Sequence, residues 1–403
     1  MSGRWQQVAA ASGLLDADGT VRATVFAEMS ALAARTGALN LGQGFPDVDG
    51  PAPVARAAAD AILAGVNQYP PGPGIAPLRA AVATHQRTRY GLAVDPETEV
   101  LVTTGATEAL AAAVLALVSP GDEVLTLEPY YDSYAAVVAL AGATHTTAPL
   151  RATPDGFRLD VEALAAAVTP RTRLLLLNSP HNPTGAVLRR DELAAVARLA
   201  VAHDLLVVTD EVYEHLVFGV EHVPLATLPG MAGRTLTVSS SGKTFSFTGW
   251  KIGWVTGPAE LVTAVRTVKQ FLTYVSGAPF QPAVAHALTD PAALAWVDDL
   301  VASLTARRDL LGAGLRDAGF DVVRPDGTYF VLADAAPLGA TDGVDFCRDL
   351  PARAGVVGVP VSAFTRPGTA AHEALRTWVR FTFVKRREVL EDAAERLRRA
   401  FGA

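Results

Sequence analysis

Residues 172–185, TRLLLLNSPHNPTG, join a continuous apolar run to a polar loop. The four leucines at residues 174–177 lack the alternation of apolar and polar side chains that a strand with one solvated face shows. Such a run is typical of a strand in a parallel sheet that is covered on both faces. The two prolines and the glycine of the loop disfavour a longer strand, so the pattern predicts that the strand ends near Asn178.

The same pattern continues on both sides of this segment. Apolar strand patterns alternate with helix patterns from residue 99 to about residue 256, and the strands are expected at residues 99–104, 123–128, 172–178, 205–211 and 235–240. This alternation predicts an α/β fold with a mainly parallel sheet between two layers of helices. Ligands of such sheets bind beyond the carboxyl ends of the strands, so the residues that follow each strand are the candidate site.

The remainder of the chain has a different pattern. A long helix is predicted at residues 294–319, followed by short strands and by a last helix at residues 387–401. We therefore predict three regions. Residues 1–45 complete a small domain, residues 46–290 form a large domain, and residues 291–403 form the rest of the small α+β domain.

Composition excludes several classes of function. The chain has 403 residues, a formal net charge of −7 and 50% hydrophobic residues, so a large core is expected and nucleic acid is not an expected partner. The apolar runs are too short to span a bilayer, so no membrane association is expected. One cysteine, Cys347, excludes an internal disulfide. The N-terminus lacks the pattern of a secretory signal, and we expect a cytoplasmic protein.

Two of the four lysines of the chain lie close together, in the segment SSSGKTFSFTGWKIGW at residues 239–254. The Gly-Lys-Thr tripeptide resembles the end of a nucleotide-binding loop, but Thr237 stands where that loop needs its first glycine. The residues after Lys243 are also poor helix formers, whereas a nucleotide-binding loop is followed by a helix. A buried lysine can lose its proton and act as a nucleophile, whereas arginine cannot. Lys243 and Lys251 are therefore candidates for chemistry other than nucleotide binding.

The residues at the strand ends fit a pyridoxal phosphate site. Lys243 supplies the amine that a Schiff base to the cofactor aldehyde requires, and it can then move a proton at the substrate α-carbon. Asp210 is the buried carboxylate that would keep the pyridine nitrogen protonated. Tyr213 and Asn182 can donate hydrogen bonds to the phenolic oxygen, and Tyr131 can stack on the ring.

The phosphate and the substrate carboxylate need further donors. Backbone N–H groups of Ala106 and Thr107 at a helix start, with Ser240 and Lys251, are expected to bind the phosphate. Arg380 is the candidate for bidentate binding of a substrate carboxylate.

Each assignment has a simpler alternative when it is taken alone. Asp210 could cap a helix, Tyr131 and Tyr213 could be core aromatics, and Gly105 could serve only a tight strand-to-helix turn. His181, His203 and His215 show no ligand spacing, so no metal site is predicted. It is the occurrence of suitable residues at successive strand ends that favours the cofactor site.

Four motifs, at residues 178–185, 210–213, 239–243 and 249–254, resemble those of the class I/II aminotransferases of the aspartate aminotransferase fold, also called fold type I. The resemblance covers almost the whole chain. It implies pyridoxal 5′-phosphate as the cofactor, a seven-stranded sheet in the large domain, and a ping-pong transfer of an amino group between an amino acid and a 2-oxo acid. The residue assignments above are also those of the family. The resemblance adds Gly105 to the phosphate site, and it places Gly44 and Asn182 beside Arg380 at the substrate carboxylate. Homodimers with shared sites are implied, with Tyr69 reaching the partner's cofactor phosphate.

Within the family the chain resembles the branch of the kynurenine, glutamine and methionine aminotransferases. It resembles actinobacterial N-succinyldiaminopimelate aminotransferases, which belong to lysine and diaminopimelate biosynthesis, more closely still. Lys251 replaces an arginine that many aspartate enzymes carry. The aromatic, uncharged segment at residues 271–284 offers no arginine for a distal carboxylate, so aspartate is not the expected substrate. The succinylated substrate is the first choice. A kynurenine-, glutamine- or methionine-type transamination, or β-elimination from cysteine conjugates, is the alternative. A third possibility, a non-catalytic regulator with this fold, would need a DNA-binding domain for which the chain has no segment.

Overall fold

A computed structural model describes residues 3–16 and 18–402. Its strands lie in three sheets, and they are β1 Leu39–Asn40, β2 Val100–Thr104, β3 Glu123–Glu128, β4 Thr144–Thr153, β5 Gly156–Leu159, β6 Thr172–Asn178, β7 Leu206–Asp210, β8 Thr235–Ser240, β9 Ile252–Thr256, β10 Asp321–Val323, β11 Phe330–Asp334, β12 Val356–Val357, β13 Val359–Pro360 and β14 Trp378–Thr382. The strands predicted between residues 99 and 240 are all present.

Helices connect most of these strands. They are α1 Arg4–Ala11, α2 Val25–Thr36, α3 Ala52–Leu63, α4 Ala76–Tyr90, α5 Gly105–Leu117, α6 Ser133–Ala141, α7 Val161–Ala167, α8 Arg190–Ala202, α9 Ser241–Thr244, α10 Ala259–Lys269, α11 Phe280–Thr289, α12 Pro291–Asp317, α13 Gly343–Ala354, α14 Ala370–Ala374 and α15 Arg387–Phe401. Over the described residues, no helix is both long enough and apolar enough to cross a membrane.

The large sheet has the strand order β2-β9-β8-β7-β6-β3-β4-β5. Strands β8, β7, β6, β3 and β4 pair in parallel, whereas β9 is antiparallel to both of its neighbours. The predicted mainly parallel α/β sheet is confirmed. Seven strands of this sheet run side by side. Strand β4 extends beyond β3, and the chain then turns back at residues 153–156 so that β5 pairs with this extension as an eighth strand.

The leucines of β6 show why this strand has no polar face. Leu174 and Leu176 pack with α5, α6 and α10 on one side of the sheet, and Leu175 and Leu177 pack with α7 and α8 on the other. All four are at most 2% exposed. Removing both faces of a strand from water requires apolar side chains at every position, which accounts for the continuous run in the sequence.

A smaller antiparallel sheet has the order β10-β11-β14-β13, and α12, α13 and α15 pack against it. The N-terminal segment contributes to this region, because β1 pairs in parallel with β12 through Leu39 and Val356. Met29 and Ala33 of α2 belong to the same core. This packing agrees with a small domain built from both chain ends. The boundaries at residues 45 and 290 stay predictions.

The register of the large sheet decides where the site lies. Asn178 at the end of β6 pairs with Asp210 at the end of β7, and Asp210 pairs with Val238 near the end of β8. Helix α5 begins at Gly105 directly after β2 on the same edge. The carboxyl ends of four strands therefore place their polar residues around one crevice.

Candidate active site

A cavity of about 310 Å³ lies at this edge of the large sheet. It gathers nearly all of the residues predicted for the site, which are Gly44, Gly105, Ala106, Thr107, Tyr131, Asn182, Asp210, Tyr213, Ser240, Lys243, Lys251 and Arg380. Tyr69 is the exception. It does not line the cavity, its side chain is 80% exposed, and its ring packs edge-on against Tyr274 at 5.5 Å between ring centres.

Lys243 follows β8 in the single turn α9. Its Nζ atom donates a hydrogen bond of 2.9 Å to the hydroxyl of Tyr329 and lies 5.6 Å from the ring centre of Tyr213. The Tyr329 hydroxyl in turn donates to the carbonyl oxygen of Gly44 at 2.6 Å. Two aromatic rings and this hydrogen bond hold the amine at the cavity wall, where it can react with an aldehyde or move a proton.

Asp210 is 5% exposed and accepts a hydrogen bond of 2.6 Å from the hydroxyl of Tyr134. Burial raises the pKa of Asp210 to about 6, against the opposite effects of the Tyr134 and Val212 hydrogen bonds and of Lys243. A buried carboxylate in this state is stabilised by a cation, because the apolar surroundings disfavour its isolated charge. A protonated pyridine nitrogen is such a cation.

Asn178 connects Asp210 to the loop that follows β6. Its Nδ2 group donates to the carbonyl oxygens of Asp210 and Pro180 at 2.7 and 3.1 Å, and its Oδ1 atom accepts from the backbone N–H of Asn182 at 2.7 Å. The side-chain oxygen of Asn182 accepts a hydrogen bond from Arg380. Asn182 therefore keeps its Nδ2 group as a donor for a ligand.

Arg380 of β14 is 2% exposed, and its guanidinium lies over the ring of Phe330 at 4.0 Å. Its Nη atoms donate to Asn182 Oδ1 at 3.0 Å and to the carbonyl oxygen of Gly42 at 2.9 Å. The buried Nε atom has no hydrogen-bond partner among the described residues. Burial lowers the pKa of Arg380 to about 10, so it is still a cation at neutral pH. A buried cation with an unused donor is suited to bind a carboxylate.

A second group of hydrogen-bond donors lies at the start of α5. Here the Lys251 Nζ atom donates to the Thr107 hydroxyl at 3.3 Å. Gly253 permits this arrangement, since a Cβ atom there would lie 2.7 Å from the Gly105 carbonyl carbon and 2.8 Å from the Ala106 nitrogen. Gly105 has a φ of +67°, which favours glycine. Burial and the nearby Lys243 lower the pKa of Lys251. Free N–H groups at a helix start and a lysine can hold a phosphate.

Three residues of the site were not assigned a role from the sequence. The sequence predicts Asn178 only as the end of a strand, and no motif singles out Tyr134 or Tyr329. Tyr134 lies in the first turn of α6, three residues after Tyr131, and the two rings pack edge to face with 5.7 Å between their centres. Tyr329 has no comparable local signal, because its partner Gly44 is 285 residues away.

Comparisons with known proteins agree with this geometry. The family described as aminotransferase class I and II matches residues 36–397. The chain belongs to this family. Aminotransferases of classes I and II depend on pyridoxal phosphate, and both the unpaired Arg380 donor and the glycine-lined helix start fit that cofactor and its substrates. The predicted enzyme class and cofactor are confirmed.

This aminotransferase has relatives of several named activities. It is 60% identical over 380 residues to a probable N-succinyldiaminopimelate aminotransferase from Mycobacterium tuberculosis, covering 93% of this chain and 95% of that one. A methionine aminotransferase from Escherichia coli is 39% identical, with 93% and 95% covered. The solved N-succinyldiaminopimelate aminotransferase structure from Mycobacterium tuberculosis superposes with a TM-score of 0.92 at 57% identity, covering 99% of this chain and 100% of that one. The predicted fold type I architecture is confirmed.

Proposed function

We propose that this aminotransferase exchanges the amino group of an N-succinylated diaminopimelate with a 2-oxo acid in a ping-pong cycle, as a step of lysine and diaminopimelate biosynthesis. The observation that supports this choice most strongly is the 60% identity, over nearly the full length of both chains, to the probable N-succinyldiaminopimelate aminotransferase of Mycobacterium tuberculosis. The methionine aminotransferase relative stands well below it at 39%.

We assign the reacting amine to Lys243. Bound pyridoxal phosphate supplies an aldehyde and an electron-withdrawing ring that weakens the bonds at the substrate α-carbon. Lys243 would take the proton from that carbon and pass it to the cofactor carbon C4′, and the second half-reaction would run this transfer in the opposite direction. Tyr329 orients the Nζ atom through its 2.9 Å hydrogen bond, and the Tyr213 ring limits its movement on another side. A lysine without this support would sample several rotamers and would transfer protons less often.

The electrostatic support comes from the edge of the sheet. Tyr134 orients the carboxylate of Asp210, and Asn178 donates to the Asp210 backbone carbonyl, so Asp210 would hold the proton on the pyridine nitrogen. Tyr213 and Asn182 would donate to the phenolic oxygen, and Tyr131 would cover the ring. The start of α5 at Gly105, Ala106 and Thr107 would bind the phosphate together with Ser240 and Lys251. These assignments follow from chemistry and from the cavity that the residues share.

Substrate orientation is assigned to Arg380. Its planar guanidinium is stacked on Phe330 and braced by Asn182, which leaves the orphaned Nε edge for the carboxylate beside the reacting carbon. Gly44 lies against the same ring, and a Cβ atom there would come within 2.6 Å of Phe330 Cζ. The glycine thus keeps the carboxylate end of the cavity open.

We further propose a homodimer with shared sites. Tyr69 stands outside its own cavity, and its exposed ring packs edge-on against the exposed ring of Tyr274. Exposed apolar surface can mark an interface. In the proposed dimer, the partner subunit's Tyr69 donates its hydroxyl to the cofactor phosphate. We retain the cytoplasm as the proposed location, since the core needs no disulfide and the one cysteine, Cys347, is buried.

A panel of amino donors tests the substrate assignment. The pyridoxal form would be mixed with N-succinyl-diaminopimelate, kynurenine, glutamine and methionine, and formation of the pyridoxamine form would be followed by absorbance. We expect the succinylated donor to react with the highest kcat/KM. A faster reaction with kynurenine or methionine would contradict that assignment. It would favour the alternative of a kynurenine-, glutamine- or methionine-type transamination, which the similarity to the methionine aminotransferase also supports. Release of pyruvate and ammonia from a cysteine conjugate, without pyridoxamine, would indicate β-elimination.

A further inference from the structure

A second cluster of chemistry-bearing side chains lies outside the cavity. His85 belongs to α4, and Glu214 and His215 belong to the segment that follows β7. The Nε2 atoms of the two histidines are 3.0 Å apart, and His85 Nε2 lies 4.0 Å from Glu214 Oε2. One ligand atom from each of the three residues lies within 4.8 Å of the other two. All three side chains are buried.

The cluster supplies ligand atoms of two kinds. Its imidazole nitrogens and its carboxylate oxygen are buried together. The Nδ1 atom of His85 is also buried and has no hydrogen-bond partner among the described residues.

The Glu214 carboxylate forms no ion pair with a lysine or arginine in the described part of the chain, where its only ion-pairing contact is that with His85. Arg89 lies near the cluster, with its guanidinium 5.9 Å from the ring centre of Tyr90. The remaining partners of the carboxylate are neutral hydroxyl groups, Tyr90 Oη at 2.6 Å and Ser239 Oγ. An ionised carboxylate without a cation is costly to bury, because the interior does not solvate its charge as water does.

We propose that His85, Glu214 and His215 form a binding site for a divalent transition metal of the zinc class. Two imidazoles and one carboxylate offer the nitrogen and oxygen ligand atoms that such an ion takes. Two histidines with one glutamate are also a known three-ligand combination for zinc. The ion would supply the positive charge that Glu214 lacks.

The separations agree with one shared ion after a small movement. Zinc binds nitrogen and oxygen at about 2.0–2.2 Å, so two ligand atoms in a tetrahedron lie about 3.3 Å apart. The two imidazole nitrogens are already close to that separation at 3.0 Å. The carboxylate oxygen at 4.0 Å must approach by rotation of the Glu214 side chain. Tyr90 hydrogen-bonds this oxygen and would then orient it on the ion.

The position of the cluster gives the site a structural effect. Glu214 follows Tyr213, whose ring lines the catalytic cavity, and Ser239 precedes Ser240 of the same cavity. An ion bound by His85 would connect α4 to this edge of the sheet. We therefore expect bound metal to raise the thermal unfolding temperature, since it binds the folded chain more tightly than the unfolded one.

Cobalt(II) is the probe for the test, because it takes zinc sites and absorbs visible light when it is bound. The metal-free holoenzyme would be titrated with Co²⁺ and followed by difference absorbance and by metal analysis after gel filtration. We expect one ion per chain and a rise in unfolding temperature. His85→Gln and His215→Gln should each weaken binding by more than about tenfold, and so should Glu214→Gln.

The control variant is His203→Gln, which removes an exposed histidine at the end of α8. It should bind Co²⁺ like the unaltered chain. Cofactor absorbance would show that each variant is folded. Absence of stoichiometric metal from the unaltered holoenzyme would overturn the proposal. So would equal binding by His85→Gln, His215→Gln and the unaltered chain, because the ion would then be held elsewhere.

Discussion

The amine of Lys243 lies 2.9 Å from the hydroxyl of Tyr329, although 86 residues separate them in the chain. Tyr329 also donates to the carbonyl of Gly44, so it links the reacting lysine to the N-terminal segment that shapes the substrate end of the cavity. The orientation of the Lys243 amine thus depends on a residue that lies outside the large sheet.

Removal of this hydroxyl should slow proton transfer. In Tyr329→Phe we expect kcat to fall by about 10- to 100-fold, since a hydrogen bond to a charged group contributes about 1.5–3 kcal/mol. KM should change little. Tyr130→Phe is the control, as it alters a buried tyrosine that does not line the cavity. Equal rates for Tyr329→Phe and the unaltered enzyme would contradict the role.

The raised pKa of Asp210 predicts a pH dependence of stability in the cofactor-free chain. Its folded-state pKa is about 6, whereas an aspartate in an unfolded chain titrates near pH 3.9. Between these values the folded state holds a proton that the unfolded state has lost. The free energy of unfolding should therefore decrease, by about 3 kcal/mol from this group, as the pH rises from about 4 to about 6.

Asp210→Asn should remove that contribution. Urea unfolding of both cofactor-free proteins at pH 4.5 and pH 7 would measure it, and the difference between the two pH values should be smaller in the variant. The same variant should transaminate at least about 100-fold more slowly, because a neutral amide cannot keep the pyridine nitrogen protonated. An identical pH dependence in both proteins would show that Asp210 is not the titrating group.

The role of Arg380 can be separated from its contribution to packing. In Arg380→Lys we expect kcat/KM for amino acids to fall by about 100-fold, since an ammonium cannot reproduce the bidentate geometry. Amines that lack the α-carboxylate should react with the variant and the unaltered enzyme at similar rates. The ratio of the two activities is the measurement, and an equal loss with both substrates would indicate a general structural defect instead.

Complementation between two impaired variants tests the proposed shared site. Lys243→Ala should be inactive, and Tyr69→Ala should bind the cofactor about tenfold more weakly and lose activity at limiting cofactor. If Tyr69 acts across the interface, a mixed dimer combines the Lys243 of one chain with the partner subunit's Tyr69 in one intact site. We expect activity to return when the two variants are unfolded and refolded together. No recovery, with dimers present by sedimentation, would place Tyr69 in its own site or in none.

Local sequence was sufficient for much of the fold. The leucine run of β6 predicts a strand that is buried on both faces, because side chains alternate between the two faces of a sheet and all of these are apolar. Alternation of such strands with helices then predicts the parallel sheet and the edge at which polar residues collect. Lys243, Asp210 and Asn182 could be found in this way, since each lies at the carboxyl end of a strand or within four residues after it. The antiparallel strand β9 and the β5 hairpin were not recognised, because short runs such as IGWVT carry no direction of pairing.

Contacts between residues far apart in the sequence could be identified only from the folded structure. Tyr329 reaches Gly44 across 285 residues, Arg380 reaches Asn182 across 198, and His85 meets His215 across 130. No periodicity links such pairs, because helix and strand repeats describe neighbours within one element and not the packing of one element on another. Local chemistry thus determined which residues could react. Packing between elements determined how the lysine is oriented, which edge of the arginine is free, and that two histidines without ligand spacing stand beside one buried carboxylate.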